Sequence, residues 1–342
     1  MAPPLTPMLA RLARALPIGD YLYEPKWDGF RCLAFREGSG IDLRSRNGRP
    51  LARYFPEVAE PLLELPQERF ALDGELVVAR EEALDFVALM ARLHPAASRV
   101  ERLRRETPAS FVAFDLPRVG GEDLQGHSFA QRRARLETLL DSARAPLALT
   151  PATDDVELAL RWLERLEGVV AKHRELRYEP GRRAMVKVKR ERTVDCVVAG
   201  FRWLVERPLP STLLLGLYDE QGELRHVGVA GGFTRRQREE LLRLLAPLVV
   251  PLAGHPWEPG FLLAGGTTGR LKGSAGRWAP GMEMDWVPGR PALVAEVGYD
   301  QLDDRRFRHP ARFLRWRPDR DPRSCTLDQL DAPVADVGEL LR

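Results

Sequence analysis

Few stretches of this chain leave their local structure as little choice as Phe70-Ala71-Leu72-Asp73-Gly74-Glu75-Leu76-Val77-Val78. Successive side chains of a strand point to opposite faces. A strand here turns Phe70, Leu72, Leu76 and Val78 towards a core, and Asp73 and Glu75 to the other side. Met185-Val186-Lys187-Val188-Lys189 repeats the pattern with the opposite charge. Val186 and Val188 point one way, Lys187 and Lys189 the other. Two adjacent ammoniums repel each other unless an anion lies between them, and a phosphate answers that need. Each segment taken alone also fits a solvated strand face.

A third stretch carries reactive chemistry. Tyr23-Glu24-Pro25-Lys26-Trp27-Asp28-Gly29-Phe30-Arg31 places a lysine in a turn, followed by a carboxylate, a glycine and an arginine. A lysine amine becomes a nucleophile when burial or nearby cations favour its neutral form. Asp28 is placed to orient the amine or help seat a metal, and Gly29 lets the backbone pass close to a phosphate. Alone, Lys-x-Asp-Gly also describes a surface lysine. In Glu167-Gly168-Val169-Val170-Ala171-Lys172 an acid precedes a buried strand. Such an acid suits magnesium, which prefers oxygen ligands, or simply ends a helix before a glycine.

The remaining pattern organises these pieces. A chain of 342 residues makes about two domains. Residues 1–20 read as a leader with a short helix around Leu9–Leu16. Strands are expected over Tyr21–Glu24, Phe30–Arg36, Ile41–Arg46, Phe70–Ala79, Phe111–Leu116, Val169–His173 and Met185–Arg190. Asn47-Gly48 signals a turn. Helices are expected over Phe55–Leu65, within 84–106, over 129–142 behind an N-cap at Ser128, and over 156–166 behind Asp154 or Asp155. A new region starts near Thr193. It has short strands over Asp195–Phe201, Leu213–Tyr218, Leu224–Gly228, Leu293–Tyr299 and Phe313–Arg317. Thr234 and Gln237 form a capping box for a helix through Leu245. Residues 251–291, rich in Gly, Pro and Trp, read as a long loop. Five short strands with one helix suit a small oligonucleotide-binding (OB) barrel. The expected domains are 1–193 and 194–342, the second including a C-terminal tail.

Composition excludes several classes. Hydrophobic residues make up 44% and charged residues 30%, ordinary for a globular protein. With 52 Lys+Arg against 49 Asp+Glu, the net charge of +3 says little, so local clusters matter more. No apolar run reaches the ~18 residues of a membrane span, and no signal peptide is recognisable. Cys32, Cys196 and Cys325 fit neither a disulfide framework nor zinc spacing, and a reducing cytosol is the simple reading.

In order, the motifs are Lys26-x-Asp28-Gly29-x-Arg31, Ser45-Arg46-Asn47-Gly48, Asp73-Gly74-Glu75, Phe114-Asp115, Glu167-Gly168 and Lys187-x-Lys189. Together they resemble the covalent nucleotidyltransferase superfamily of DNA ligases, RNA ligases and mRNA-capping enzymes. The details look most like bacterial ATP-dependent DNA ligases of the short, stand-alone C type. The implied fold is α+β: an adenylation domain of antiparallel sheets with flanking helices, then the OB barrel. The resemblance implies that Lys26 forms a lysyl–AMP phosphoramidate. Glu24 would help read adenine, which Phe114 and Val170 would sandwich. Arg31 and Arg46 would hold phosphate or ribose, and later the 5′-phosphate of a nick. Glu75 would meet ribose or a metal, Glu167 would bind magnesium or manganese, and Lys187 and Lys189 would clamp the α-phosphate. Arg317-Pro318-Asp319-Arg320 matches a family motif that orients the pyrophosphate, with Arg320 where the family has lysine, a change of shape and hydrogen bonding.

The implied activity is sealing of nicks in double-stranded DNA, in repair. The protein would act as a monomer in the bacterial cytosol, beside a repair polymerase or end-binding proteins. Basic clusters over 182–192 and 305–323 suit sequence-independent backbone contacts. Two other readings stand beside it: an RNA ligase or GTP-dependent capping-type enzyme, and a non-catalytic DNA-end-binding protein.

Overall fold

The computed structural model describes residues 5–80, 83–190, 192–204, 208–258, 260–262, 268–269, 286–303, 305–330 and 340. It divides into one unit of Met1–Arg190 with Pro333–Arg342 and a second of Glu191–Ala332. Among the described residues, no helix is long and apolar enough to cross a membrane.

Two sheets build the first unit. One contains β1 (Leu9–Ala13), β2 (Tyr21–Pro25), β8 (Gly168–His173) and β9 (Arg183–Lys189), in the order β1-β9-β8-β2. The other contains β3 (Phe30–Glu37), β4 (Gly40–Ser45), β5 (Arg69–Val77), β6 (Ser110–Val119) and β7 (Leu147–Leu149), in the order β7-β6-β5-β3-β4. Most pairings are antiparallel, but β1 runs parallel to β9 and β7 parallel to β6, so the sheets are mixed. Helices α1 (Pro56–Leu62), α2 (Phe86–Ala91), α3 (Ala97–Glu106), α4 (Phe129–Leu140) and α5 (Val156–Arg165) complete the unit. Ser128 caps α4 through a full capping box, and Asp155 caps α5.

The helix expected around Leu9–Leu16 is a strand instead. Leu9 pairs with Arg183 and Leu12 with Lys187 along the open edge of β9. That ladder satisfies backbone groups that a short, marginal helix would leave exposed at its ends, so tertiary pairing overrides local propensity.

The strand reading of 70–78 holds in detail. Phe70, Leu72, Leu76 and Val78 enter the main core of this unit together with Phe55, Phe111 and Leu136. Gly29 has a different reason from the one its motif suggested. A Cβ on it would overlap the backbone carbonyl of Leu76, and the next residue, Phe30, is the ladder partner of Leu76. Glycine is required by the approach of β3 to β5. Gly29→Ala is expected to destabilise the first unit by about 2 kcal/mol or more, because rigid backbone must move. Urea unfolding checks this, and an unchanged midpoint would contradict the packing argument.

The second unit is a closed barrel of β10 (Arg192–Trp203), β11 (Pro210–Tyr218), β12 (Leu224–Gly231), β13 (Val287–Tyr299) and β14 (Ala311–Trp316), ordered β10-β11-β12-β14-β13. Helix α6 (Arg235–Leu245) carries the capping box of Thr234 and Gln237 and buries Leu241 and Leu245 in the barrel core. Most of the loop expected over 251–291 lies outside the described residues. At its two ends, Trp257 is buried in the barrel core and its ring stands 5.9 Å from that of Trp286. The three cysteines are buried and free.

Candidate active site

Lys26 follows β2 directly, and its backbone is fixed twice. Its N–H donates to the carbonyl of Gly168 at 2.9 Å. The neighbouring Trp27 is buried and donates from Nε1 to Thr150 Oγ1 at 2.9 Å. The ammonium points to Glu167, donating to Oε2. Glu167 Oε1 faces Lys189 Nζ at 3.4 Å. A single carboxylate therefore links the turn lysine to the lysine strand, residues 163 positions apart in sequence at the extremes.

Around Lys26 lies a pocket of about 320 Å³ lined by Glu24, Arg31, Arg46, Glu75, Phe114, Val170 and Lys187, with Pro7 to Ala10, Pro25, Trp27, Lys172, Arg183 and Met185 completing the wall. The fold explains the convergence. Val170 is the cross-strand partner of both Glu24 on β2 and Lys187 on β9, so one row of the first sheet presents all three. Glu75, on β5, is the partner of Arg31 on β3. Arg46 is exposed at the rim, just after β4, in a turn closed by the Gly48 N–H on the Ser45 carbonyl at 2.8 Å.

Charge in the pocket is unevenly satisfied. Burial, helped by Glu167 and Asp28 and opposed by Arg31 and Lys26, pushes the Glu75 carboxyl up to about 7. Burial and the neighbouring charges of Lys26 and Lys189 pull the Lys187 ammonium down. Such a site gains from an added anion beside the lysines and an added cation beside the carboxylates. Glu75 is neutral below about pH 7 and ionised above it. Its raised value therefore stabilises the fold at low pH, and this contribution is lost as pH rises through about 7. A ligand that meets the ionised form should bind more tightly through the same window, and Glu75→Gln removes that step. Isothermal titration between pH 6 and 8 checks this.

Several expected residues have protein partners. Arg31 lines the pocket with its guanidinium turned to an acid. Nε and Nη2 donate to the two oxygens of Asp73 at 2.6 and 2.7 Å, and the group lies 4.4 Å from the centroid of the Phe114 ring. Glu167, expected on a metal, is engaged by Lys26 and Lys189. Arg317 belongs to the second unit. It pairs with Asp195 at 2.9 Å and Asp319 at 2.7 Å, while Arg320 lies 3.3 Å from Asp195.

Sequence reasoning overlooked Lys172, Arg133, Tyr178 and Met8. Lys172, 1% exposed, holds Glu24 at 2.8 Å and the Phe114 carbonyl at 2.8 Å. Arg133 faces the other oxygen of Glu24 at 3.5 Å. Burial pushes the Glu24 carboxyl up, and these two cations oppose it. Alternation within Val170-Ala171-Lys172 placed Lys172 on the face of Val170, so that signal was available. Nothing local marked the others.

The residues also fit a divalent cation. Among the described residues there is no cluster of three acidic, His or Cys ligands. Magnesium, however, often binds through one or two carboxylates together with substrate phosphates. The charge of Glu167 helps push the Glu75 carboxyl up, so Glu75 and Glu167 are close enough to supply such a pair.

Comparison with known proteins gives a consistent picture. The family model for the ATP dependent DNA ligase domain matches residues 7–189, and that for the ATP dependent DNA ligase C terminal region matches residues 206–320. DNA ligase C2 of Mycolicibacterium smegmatis is 48% identical, over 97% of this chain and 95% of its own length. DNA ligase C of Mycobacterium tuberculosis is likewise 48% identical, over the same shares of the two chains. A solved structure from a study of Lig E DNA ligases shares the fold at a TM-score of 0.55 and 19% identity, covering 92% of this chain and all of that one.

Proposed function

The chain belongs to the ATP-dependent DNA ligases, and from that premise we propose that it seals nicks in duplex DNA through an AMP carried on Lys26. The observation that supports this most directly is the convergence of Lys26, Glu75, Phe114, Val170 and Lys187 on one pocket. The Lys26 amine attacks the α-phosphorus of ATP. The ammonium first gives one proton to solvent; an N–P bond then forms, the P–O bond to pyrophosphate breaks, and Glu167, already accepting from Nζ, takes the second proton from the attacking nitrogen. Catalysis of this kind depends on positioning and on neutralising charge. Lys187 and Lys189 face the transferred phosphate, while Phe114 and Val170 hold the base, with Glu24 at its edge. Arg46, exposed at the rim, would meet ribose or an incoming 5′-phosphate.

Glu75, with Glu167 while it is ionised, would hold magnesium or manganese, whose charge would offset that of the phosphates. AMP then passes from Lys26 to the 5′-phosphate of the nick. The 3′-hydroxyl attacks that phosphorus, AMP leaves, and the strand is continuous. Such an enzyme would act in repair of bacterial DNA in the cytosol, as a monomer, alongside a repair polymerase or end-binding proteins.

The test is covalent labelling. Protein incubated with a divalent cation and ATP labelled on the α-phosphate should acquire acid-labile label, and labelled GTP should give none. Nicked duplex DNA should be joined in preference to nicked RNA. Exclusive joining of RNA, or label from GTP alone, would replace this reading with the RNA-ligase or capping one. Active protein that binds DNA ends without taking label would make it a binding module.

A further inference from the structure

A closed ring of hydrogen bonds lies beside the pocket, and one of its members has had no role so far. Tyr178, in the connection between β8 and β9, is 3% exposed. Its hydroxyl donates to Asp73 Oδ2 at 2.6 Å and accepts from the backbone N–H of Met8 at 3.3 Å. Arg31 grips both oxygens of Asp73 and donates from Nη2 to the Met8 carbonyl at 3.2 Å. The ring runs from Met8 through Tyr178, Asp73 and Arg31 back to Met8. Asp73 and Met8 are fully buried. Burial, then the Asp73 carboxylate, push the Tyr178 phenol well above its ordinary value. The hydroxyl therefore keeps its proton and remains a donor to Asp73.

The ring touches two walls of the pocket. Met8 lines it and leads into β1, whose edge pairing starts at Leu9. The Arg31 guanidinium lies against the Phe114 ring, the proposed platform for the base. We propose that Tyr178 is a positioning residue for nucleotide binding, closing a ring that fixes Phe114 and the N-terminal wall at the base-binding end of the pocket. The inference rests on the reading of this pocket as the ATP site. A side chain held this way changes affinity for the base and leaves the phosphate end alone.

Tyr178→Phe removes the hydroxyl and keeps the ring shape. Loss of one buried hydrogen bond predicts a rise of about fivefold in the KM for ATP in lysyl–AMP formation, with the saturating rate within about twofold of the wild type. Inhibition by adenosine should weaken by the same factor, while inhibition by inorganic tripolyphosphate should not change. Hydrogen exchange over residues 8–13 of the nucleotide-free protein should speed up. An unchanged KM, or equal weakening of adenosine and tripolyphosphate, would overturn the proposal. Should Tyr178→Phe fail to fold, fluorotyrosine at position 178, which keeps the ring and alters the donor strength of the hydroxyl, carries the same adenosine-against-tripolyphosphate comparison and the same refutation. Wild-type protein that formed no lysyl–AMP would sink the ATP reading itself. The hydrogen-exchange comparison would then still decide whether Tyr178 secures the N-terminal wall.

Discussion

Replacing Lys26 with alanine is expected to lower lysyl–AMP formation on the order of 10⁴-fold or more, because it deletes the proposed nucleophile rather than weakening a contact. No neighbour can substitute easily. Lys172 is bound to Glu24 and the Phe114 carbonyl, and Lys189 is paired with Glu167. Lys187 reaches the pocket from β9, on the clamping side of the phosphate in the proposed reaction. The fold should survive, since Glu167 keeps Lys189 and the Trp27 anchor on Thr150 is untouched. The informative measurement pairs two substrates. Nicked DNA with ATP should not be joined. A nick already carrying AMP on its 5′-phosphate needs no lysine nucleophile and should be sealed within about tenfold of the wild-type rate. Label surviving in Lys26→Ala would end the mechanism as written.

Removing the carboxylate of Glu167 should cost nearly as much, for an electrostatic reason. Glu167 is the shared counter-charge of Lys26 and Lys189 and opposes the downward pull on Lys187. Without it three lysines face one another, and in the proposed reaction the nucleophile loses both its orienting acceptor and its proton acceptor. Glu167→Ala is expected to slow adenylation by roughly 10²- to 10³-fold, and Glu167→Gln by less, because an amide oxygen still accepts from Nζ. The Gln variant offers a second, independent sign. The charge of Glu167 helps push Glu75 up to about 7, so its loss should move the Glu75 step in the pH profile of ATP affinity to lower pH. A step left at pH 7 would mean that the two carboxylates are not coupled as the pocket geometry implies.

Much of this was legible because strands announce their faces. Phe70–Val78 separated core residues from acids, and Met185–Lys189 separated valines from lysines. The structure keeps both divisions, with Leu72 and Leu76 in the core and Glu75 and Lys187 at the pocket. The capping boxes at Ser128 and Thr234 were equally plain, since a helix start is satisfied by side chains within three residues. The N-terminal segment misled for the converse reason. Leu9–Ala13 has no strong pattern of its own and takes its conformation from the free edge of β9, 174 residues away along the ladder from Leu9 to Arg183.

What the sequence determined by itself was the chemistry available: a turn lysine, two strand carboxylates, an aromatic and a pair of alternating lysines, in a family order. Their types and their faces follow from short-range periodicity, which a linear chain records. Only the tertiary structure decided how those groups share charge. Sheet registry placed Glu167 between Lys26 and Lys189 and Lys172 against Glu24, and it bound Arg31 to Asp73 beneath Phe114. Such pairings depend on distances between strands remote in sequence. Burial then sets how costly each unpaired charge is, and neither quantity is written in any local stretch.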